Sequence, residues 1–262
     1  MEYFHGQVRE LLTGYGKLDI MWFDFSYGEM SGEKWEATKL LNMIRKLAPD
    51  LITDTRLFAG GEGMKAEEML QYGDFLSPEQ ILPPRGMTDS EGNPVPWEAC
   101  VTLNNSWGYH AYDRDFKSPK DVVRALVECV SKSGNLLLNM GPDAKGNFPE
   151  EGVAVLKEVG KWMAKNGDSI YGCGYAGLEK PEWGRYTMKE GRLYAHILER
   201  GIGPIRMQGL AEKVKAARRL SDHAEIKLDR PWNASNAKED LFVSFPGYAL
   251  PDEKDTVVEL IL

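Results

Sequence analysis

Leu18-Asp-Ile-Met-Trp-Phe-Asp-Phe25 is a short apolar run of strand-forming residues that breaks off at one carboxylate, Asp24, between Phe23 and Phe25. An acid at the end of a buried strand among aromatics is costly to place unless it is used. Parallel α/β folds carry their chemistry at the carboxyl ends of strands, which makes Asp24 the first candidate for a reacting group. The competing reading is an aspartate that only caps the turn behind its strand. A second acid would make a pair able to cleave a glycosidic bond, one member protonating the leaving oxygen while the other attacks or activates water. The stretch 57–96 offers Glu62, Glu67, Glu68, Asp74, Glu79, Asp89 and Glu91, and Glu98 follows. A carboxylate on a loop suits the proton donor, because partial burial raises its pKa; composition alone does not choose among these. Trp22, Trp97, Trp107 and Tyr109 sit near strand ends, where an aromatic face suits a sugar and is equally at home in a core.

The bulk numbers narrow the partners. At 262 residues with 42% hydrophobic content, the chain can bury one large or two modest domains. A formal charge of −8 without a basic run argues against nucleic acid and anionic membranes. No apolar stretch approaches the ~20 residues of a membrane span. The start, Met1-Glu-Tyr-Phe-His5, has neither a charged nor an apolar leader region, so a soluble chain without a signal peptide is expected, in no assigned compartment. Cys100, Cys129 and Cys173 are too far apart for a metal set and odd in number, which suits small core residues. His5, His110, His196 and His223 are scattered, so no zinc site is expected. Gly60-Gly-Glu-Gly63 lacks the strand and the Lys-Ser/Thr of a phosphate loop and reads as flexible loop.

The elements that would position Asp24 follow from periodicity. Phe4, Val8, Leu11, Leu12 and Tyr15 share a helical face that Gly14 and Gly16 close. Strand 18–25 follows, then a helix over 33–47 with Leu40, Leu41, Ile44 and Leu47 inward, then strand 51–56, the spacing of a right-handed parallel unit. Residues 57–96, rich in Gly and Pro, read as a long functional loop with a helical patch at 64–71. Strand 97–103, a helix opened by Ser118-Pro119, a fully buried strand 135–139 and a helix from Pro149 to Asn166 complete the α/β part. Beyond 172–180 only short strands separated by turns remain, the pattern of a small antiparallel β-sandwich. The expected fold is therefore α/β: a partial (β/α) barrel over 1–174, lacking its first strands, then a β-sandwich domain over 175–262. A full barrel takes about 250 residues, more than the first part holds.

Several separated stretches resemble the α-L-fucosidases of glycoside hydrolase family 29. They are Tyr3-x-x-x-Gln7-x-x-Glu10-Leu11 with Met21-Trp-Phe-Asp24, Thr53-Asp-Thr-Arg56, Trp97-Glu98-x-Cys100 and Ser106-Trp-Gly-Tyr109, in the family's order. Ser131-Lys-Ser-Gly-Asn-Leu-Leu-Leu-Asn-Met-Gly-Pro142, Gly160-Lys-Trp162 and Asn166-Gly-Asp-Ser-Ile-Tyr-Gly172 continue it. The resemblance implies a retaining glycosidase with Asp24 as nucleophile, acting on a fucosylated glycoside without a cofactor. Gly73-Asp-Phe-Leu-Ser-Pro-Glu79 resembles the segment that supplies the acid/base in one branch of the family, so Glu79 is the choice and Glu98 its rival. Arg56 matches a residue that hydrogen-bonds fucose hydroxyls, and Trp22 and Trp107 match aromatics lining the sugar, Trp107 against its methyl side.

The family's first barrel strands, with the histidines that hold fucose, have no counterpart upstream of Tyr3. A truncated product, one half of a split enzyme, or a protomer completed by another copy would each account for this. Exposed sheet edges and apolar faces favour pairing, so a homo-oligomer or a complementing N-terminal half is the expected partner. The reading from a different class is an inactive carbohydrate-binding or scaffolding remnant, and an inverting hydrolase is a third.

Overall fold

Apolar residues spaced three and four apart build the first helix, α1 (Glu2–Gly14), in the computed structural model, which describes residues 1–24, 26–28, 30–58 and 63–262. Phe25, Gly60 and Glu62, which figured in the strand, loop and acid readings above, lie outside the described residues. The buried face of α1 is narrower than its sequence suggests. His5 and Val8 are covered, with Phe4 and Leu12 packed beside them, while Leu11 and Tyr15 are exposed. His5 earns its burial through a 2.9 Å hydrogen bond between Nε2 and the Trp35 carbonyl.

The chain forms two compact units, Met1–Cys100 and Val101–Leu262. In the first, the apolar run after α1 yields only a two-residue strand, β1 (Ile20–Met21), paired in parallel with β2 (Ile52–Thr53). Between them the expected helix over 33–47 is broken: a 3-10 turn (Gly32–Trp35) passes through Glu36 at φ 48° into α2 (Ala37–Leu47). Leu40 and Ile44 of α2 are sealed against β1 and α1, whereas Leu47 is partly exposed. The helical patch reduces to α3 (Ala66–Met69) and one further 3-10 turn.

The larger departure is in the stretch read as loop. Residues 74–80 run extended between β2 and β3 (Glu98–Thr102) and bond to both through the main chain. Asp74 N–H donates to the Thr53 carbonyl at 2.7 Å and Thr55 N–H to the Phe75 carbonyl at 3.2 Å. On the other side Leu76 N–H donates to Pro96, Glu98 N–H to Leu76, Cys100 N–H to Pro78 and Gln80 N–H to Cys100, at 2.9–3.0 Å. Backbone pairing on both sides needs no alternation of side chains, so this element left no period-two signal.

Near the start of the second unit, Leu103 N–H donates to the Asn139 carbonyl at 2.8 Å. Helix α4 (Pro119–Val130) begins as expected, Ser118 and Asp121 capping each other around a Pro at the first turn. Strand β4 (Asn135–Asn139) is only partly covered, with Leu137 41% exposed, against the expectation of full burial. Of the stripe expected on α5 (Glu150–Asn166), Trp162 is fully buried and Leu156 is not.

Strands β5 (Gly174–Tyr175), β6 (Gly184–Lys189), β7 (Arg192–Ile197), β8 (Ile205–Met207), β9 (Ala216–Arg219), β10 (Glu225–Ile226), β11 (Leu241–Val243) and β12 (Thr256–Ile261) follow. Six form an antiparallel sheet in the order β10-β9-β12-β7-β6-β5, and β8 pairs with β11. Both sheets contribute to one core, in which Ala195, Ile197, Val258 and Leu260 meet Ile205, Met207, Leu241 and Val243. The other face of the large sheet packs on the helices, Tyr194, Leu220 and Val257 against Val123, Val127 and Trp162. The change of pattern near 172–180 therefore falls inside the second unit, because α4 and α5 share a core with the sheet that follows them.

Candidate active site

Short strands and one extended segment place five of the chemistry-bearing side chains in the first unit. β1 leads to Trp22 and Asp24, β2 to Arg56, the extended segment to Glu79, and β3 opens with Glu98. Arg56 is the hub. Its Nη1 is 2.8 Å from Glu79 Oε2 and 3.2 Å from Asp24 Oδ1. Nε donates to Ser77 Oγ at 2.7 Å, while Nη2 donates to the Ser77 carbonyl at 3.2 Å and to Cys100 Sγ at 3.1 Å. The guanidinium lies 4.4 Å from the Trp22 ring centroid, a cation–π contact. A planar fork of five donors serves all these partners at once, which an ammonium would not.

Two acids on one nitrogen fix their mutual distance. Asp24 Oδ1 and Glu79 Oε2 can be no more than about 6 Å apart, the two legs together, which puts both acids within reach of one bond. Both remain open, with 46% and 44% of their side chains exposed, against 20% for Arg56. Glu98 is placed differently. It accepts from Trp22 Nε1 at 3.3 Å, and burial raises its carboxyl above the usual glutamate range despite that bond.

The frame behind this cluster is polar and continuous. Ser26 Oγ donates to the Arg56 carbonyl at 2.7 Å and accepts from Trp35 Nε1 at 3.0 Å, tying the turn after β1 to the turn after β2. Asp74 accepts two bonds from Arg45 Nη2, at 2.7 and 2.6 Å, and one from Thr53 N–H at 2.7 Å, which anchors the start of the segment that ends at Glu79. Asp74 is thus a strut, Glu67 accepts the Ser90 N–H from 23 residues further on, and Asp89 is spent on a local turn bond to Asn93. Sequence reasoning did not single out Cys100 or Asp54 for the site. Burial pushes the Cys100 thiol up to about 11, making it a neutral neighbour of Arg56.

Trp107 belongs to the second unit and is 41% exposed. Its loop is braced by Asp113, which accepts from Ser106 Oγ at 2.7 Å and from Asn105 N–H at 2.9 Å. The Met140-Gly-Pro142 signature has a physical use here. A Cβ on Gly141 would stand 2.4 Å from the Gly108 carbonyl carbon and 2.5 Å from Tyr109 N, so only glycine lets the two loops touch.

Residues 1–168 match the family model described as Alpha-L-fucosidase. Among solved structures, α-L-fucosidase isoenzyme 1 from Paenibacillus thiaminolyticus superposes with a TM-score of 0.93 at 60% identity, over 99% of this chain and 61% of that one. A family 29 α-L-fucosidase from Bacteroides thetaiotaomicron, trapped as a covalent intermediate with 2-fluoro-fucosyl fluoride, gives 0.82 at 29% identity, over 99% of this chain and 60% of that one. The α-L-fucosidase of Dictyostelium discoideum is 26% identical over 198 residues, 74% of this chain and 41% of its own. The chain therefore spans less than two thirds of the length of these relatives. With the family model matched over well more than half of its residues, the chain belongs to the α-L-fucosidases, glycoside hydrolase family 29.

Proposed function

We propose that this chain carries the reacting groups of a retaining α-L-fucosidase, which releases terminal α-L-fucosyl residues from glycosides. The observation that carries this reading is the shared Arg56 nitrogen, which brings Asp24 and Glu79 to one guanidinium, where a nucleophile and an acid/base can reach one bond. In the first step an Asp24 oxygen bonds the anomeric carbon, the bond to the aglycone oxygen breaks, and Glu79 gives that oxygen its proton. In the second, water attacks the same carbon, Glu79 takes the water's proton, and Asp24 leaves as carboxylate. Net configuration is kept, consistent with the covalent intermediate trapped in the Bacteroides relative.

Arg56 has a double part in this scheme. In the empty site it holds both carboxylates on one nitrogen; when sugar binds, its fork exchanges Glu79 for a hydroxyl and leaves Glu79 free to face the aglycone oxygen. Trp22 supplies an apolar face for the sugar beside Arg56; the sugar-facing role of Trp107 rests on the family resemblance alone. The domains are read as a partial barrel over 1–174 and a sandwich over 175–262. The near half-exposure of both acids supports a pocket closed by a second copy or by a complementing N-terminal half.

The test is aryl release from an aryl α-L-fucoside, with Asp24→Ala as control and a small alcohol present. Turnover lost in the control, with transfer products of unchanged configuration, supports the reading. Transfer products of inverted configuration, or a well-folded chain that binds fucose without turnover, overturns it in favour of an inverting hydrolase or a binding remnant.

A further inference from the structure

Under the strand end that carries Asp24 lies an acid the scheme above does not use. Asp54 closes β2 with 0% exposure. Its Oδ1 accepts the N–H of Phe23, the residue before Asp24, at 2.8 Å. Its Oδ2 is buried without a hydrogen-bond partner. Gly73 seals the site: a Cβ there would lie 2.1 Å from the Asp54 carbonyl oxygen, so the segment leading to Glu79 rests directly on this peptide.

Charged groups face Asp54 from two sides, Asp24 from the end of β1 and Arg56 from the turn after β2. On the adjoining segment Asp74 is tied to Arg45, and Glu79 to Arg56. Arg56 is thus already shared between two carboxylates, Asp24 and Glu79, before Asp54 is counted. A charge in so dry a place, met only by the backbone N–H groups of Phe23 and Arg56, costs far more than an uncharged acid.

We propose that Asp54 is a positioning residue for the nucleophile, held as the neutral acid, which clamps Phe23 and so aims Asp24 without adding a negative charge beside Arg56. The word nucleophile rests on the fucosidase reading; the protonation state does not. Burial is the leading cause that pushes this carboxyl up to about 7, and the Phe23 N–H and Arg56 only partly offset it.

Asp54→Asn keeps an acceptor for Phe23 and removes the ionisation, so melting curves of wild type and variant from about pH 4.5 to 8.5 read the proton directly. A folded pKa above the unfolded value of 3.8 makes stability fall as pH rises toward about 7 and stay level above it. The variant's midpoint should therefore climb relative to wild type up to about pH 7, and the gap should then hold. A variant-minus-wild-type difference that is flat throughout, or that falls as pH rises, overturns the neutral acid.

Hydrogen exchange at the Phe23 amide tests the clamp. Protection should survive in Asp54→Asn and disappear in Asp54→Leu; equal protection in both overturns the positioning role. Should the leucine variant not fold, fast exchange at Phe23 in the asparagine variant overturns it instead. Where turnover is measured, Asp54→Leu should lower kcat about tenfold or more with KM nearly unchanged. A pH-dependent gap in a chain that hydrolyses no fucoside would count against the fucosidase reading and leave the state of Asp54 standing.

Discussion

Glu79 and Glu98 differ in what holds them, and that difference can be read kinetically. Glu79 sits on Arg56, on the nitrogen that also meets Asp24, whereas Glu98 is spent on the Trp22 indole. A general acid matters in proportion to how poor the leaving group is. Glu79→Gln is therefore expected to cost about 10²–10⁴-fold in kcat/KM on a fucoside with a weakly acidic aglycone, and little on one whose aglycone leaves unaided. Glu98→Gln should weaken both substrates alike and modestly, by loosening Trp22. Steady-state rates on the two substrates decide, and the reverse pattern would transfer the acid/base role to Glu98. At this scale the sequence was legible where a residue ends an apolar run, as Asp24 does, or lies in a familiar segment, as Arg56 and Glu79 do. Asp54 was not, because its importance comes from burial and from a missing partner, and neither leaves a trace in residue order.

Glu79 owes its place to an element with no helical or strand signature. Residues 74–80 carry Pro78 and begin behind Gly73, a composition that reads as loop, yet their backbone is bonded on both sides. Asp74 is the fastening at the start, receiving Arg45, Thr53 N–H and Thr53 Oγ1. Asp74→Ala leaves the Arg45 guanidinium and the Thr53 amide without this acceptor and is expected to cost about 1–3 kcal/mol of stability. The loss should reach Glu79 as well, lowering kcat more than it raises KM. Denaturant unfolding and steady-state rates of one preparation check both; an unchanged kcat alongside the lost stability would show that the ladder to β3 alone places Glu79. The helices were easier to read because α4 and α5 must turn a face inward. Their boundaries held, and only the depth of burial differed, at Leu156 for instance. Strand β9, Ala216–Arg219, was invisible for a related reason: Arg218 earns its place by pairing with Glu259, a carboxylate 1% exposed in the middle of the apolar-looking β12.

At the largest scale, this chain spans only part of the length of its relatives, and its first unit leaves apolar surface in water. Ile20 and Ile52 are direct partners across β1 and β2, yet they are 54% and 43% exposed. Tyr3, Leu11 and Tyr15, spaced along α1 by eight and four residues, are exposed too. Paired isoleucines on a parallel sheet are ordinarily covered on both faces, because helices or further strands pack there. Leaving them in water forfeits roughly 1.5–3 kcal/mol for each side chain that a partner would bury. Self-association, or capture of a complementing chain, recovers that energy and closes a pocket whose two acids are now nearly half-exposed. Sedimentation velocity at micromolar concentration is therefore expected to show a species larger than the 29.5 kDa chain. Specific activity on an aryl fucoside should fall on dilution through the same range. Ile20→Gln with Ile52→Gln should weaken both effects together while the sheet of the second unit melts as before, since neither side chain belongs to its core. A chain that stays monomeric and equally active at every dilution would show instead that the site works open, with the groups of its own first unit sufficient to hold the sugar.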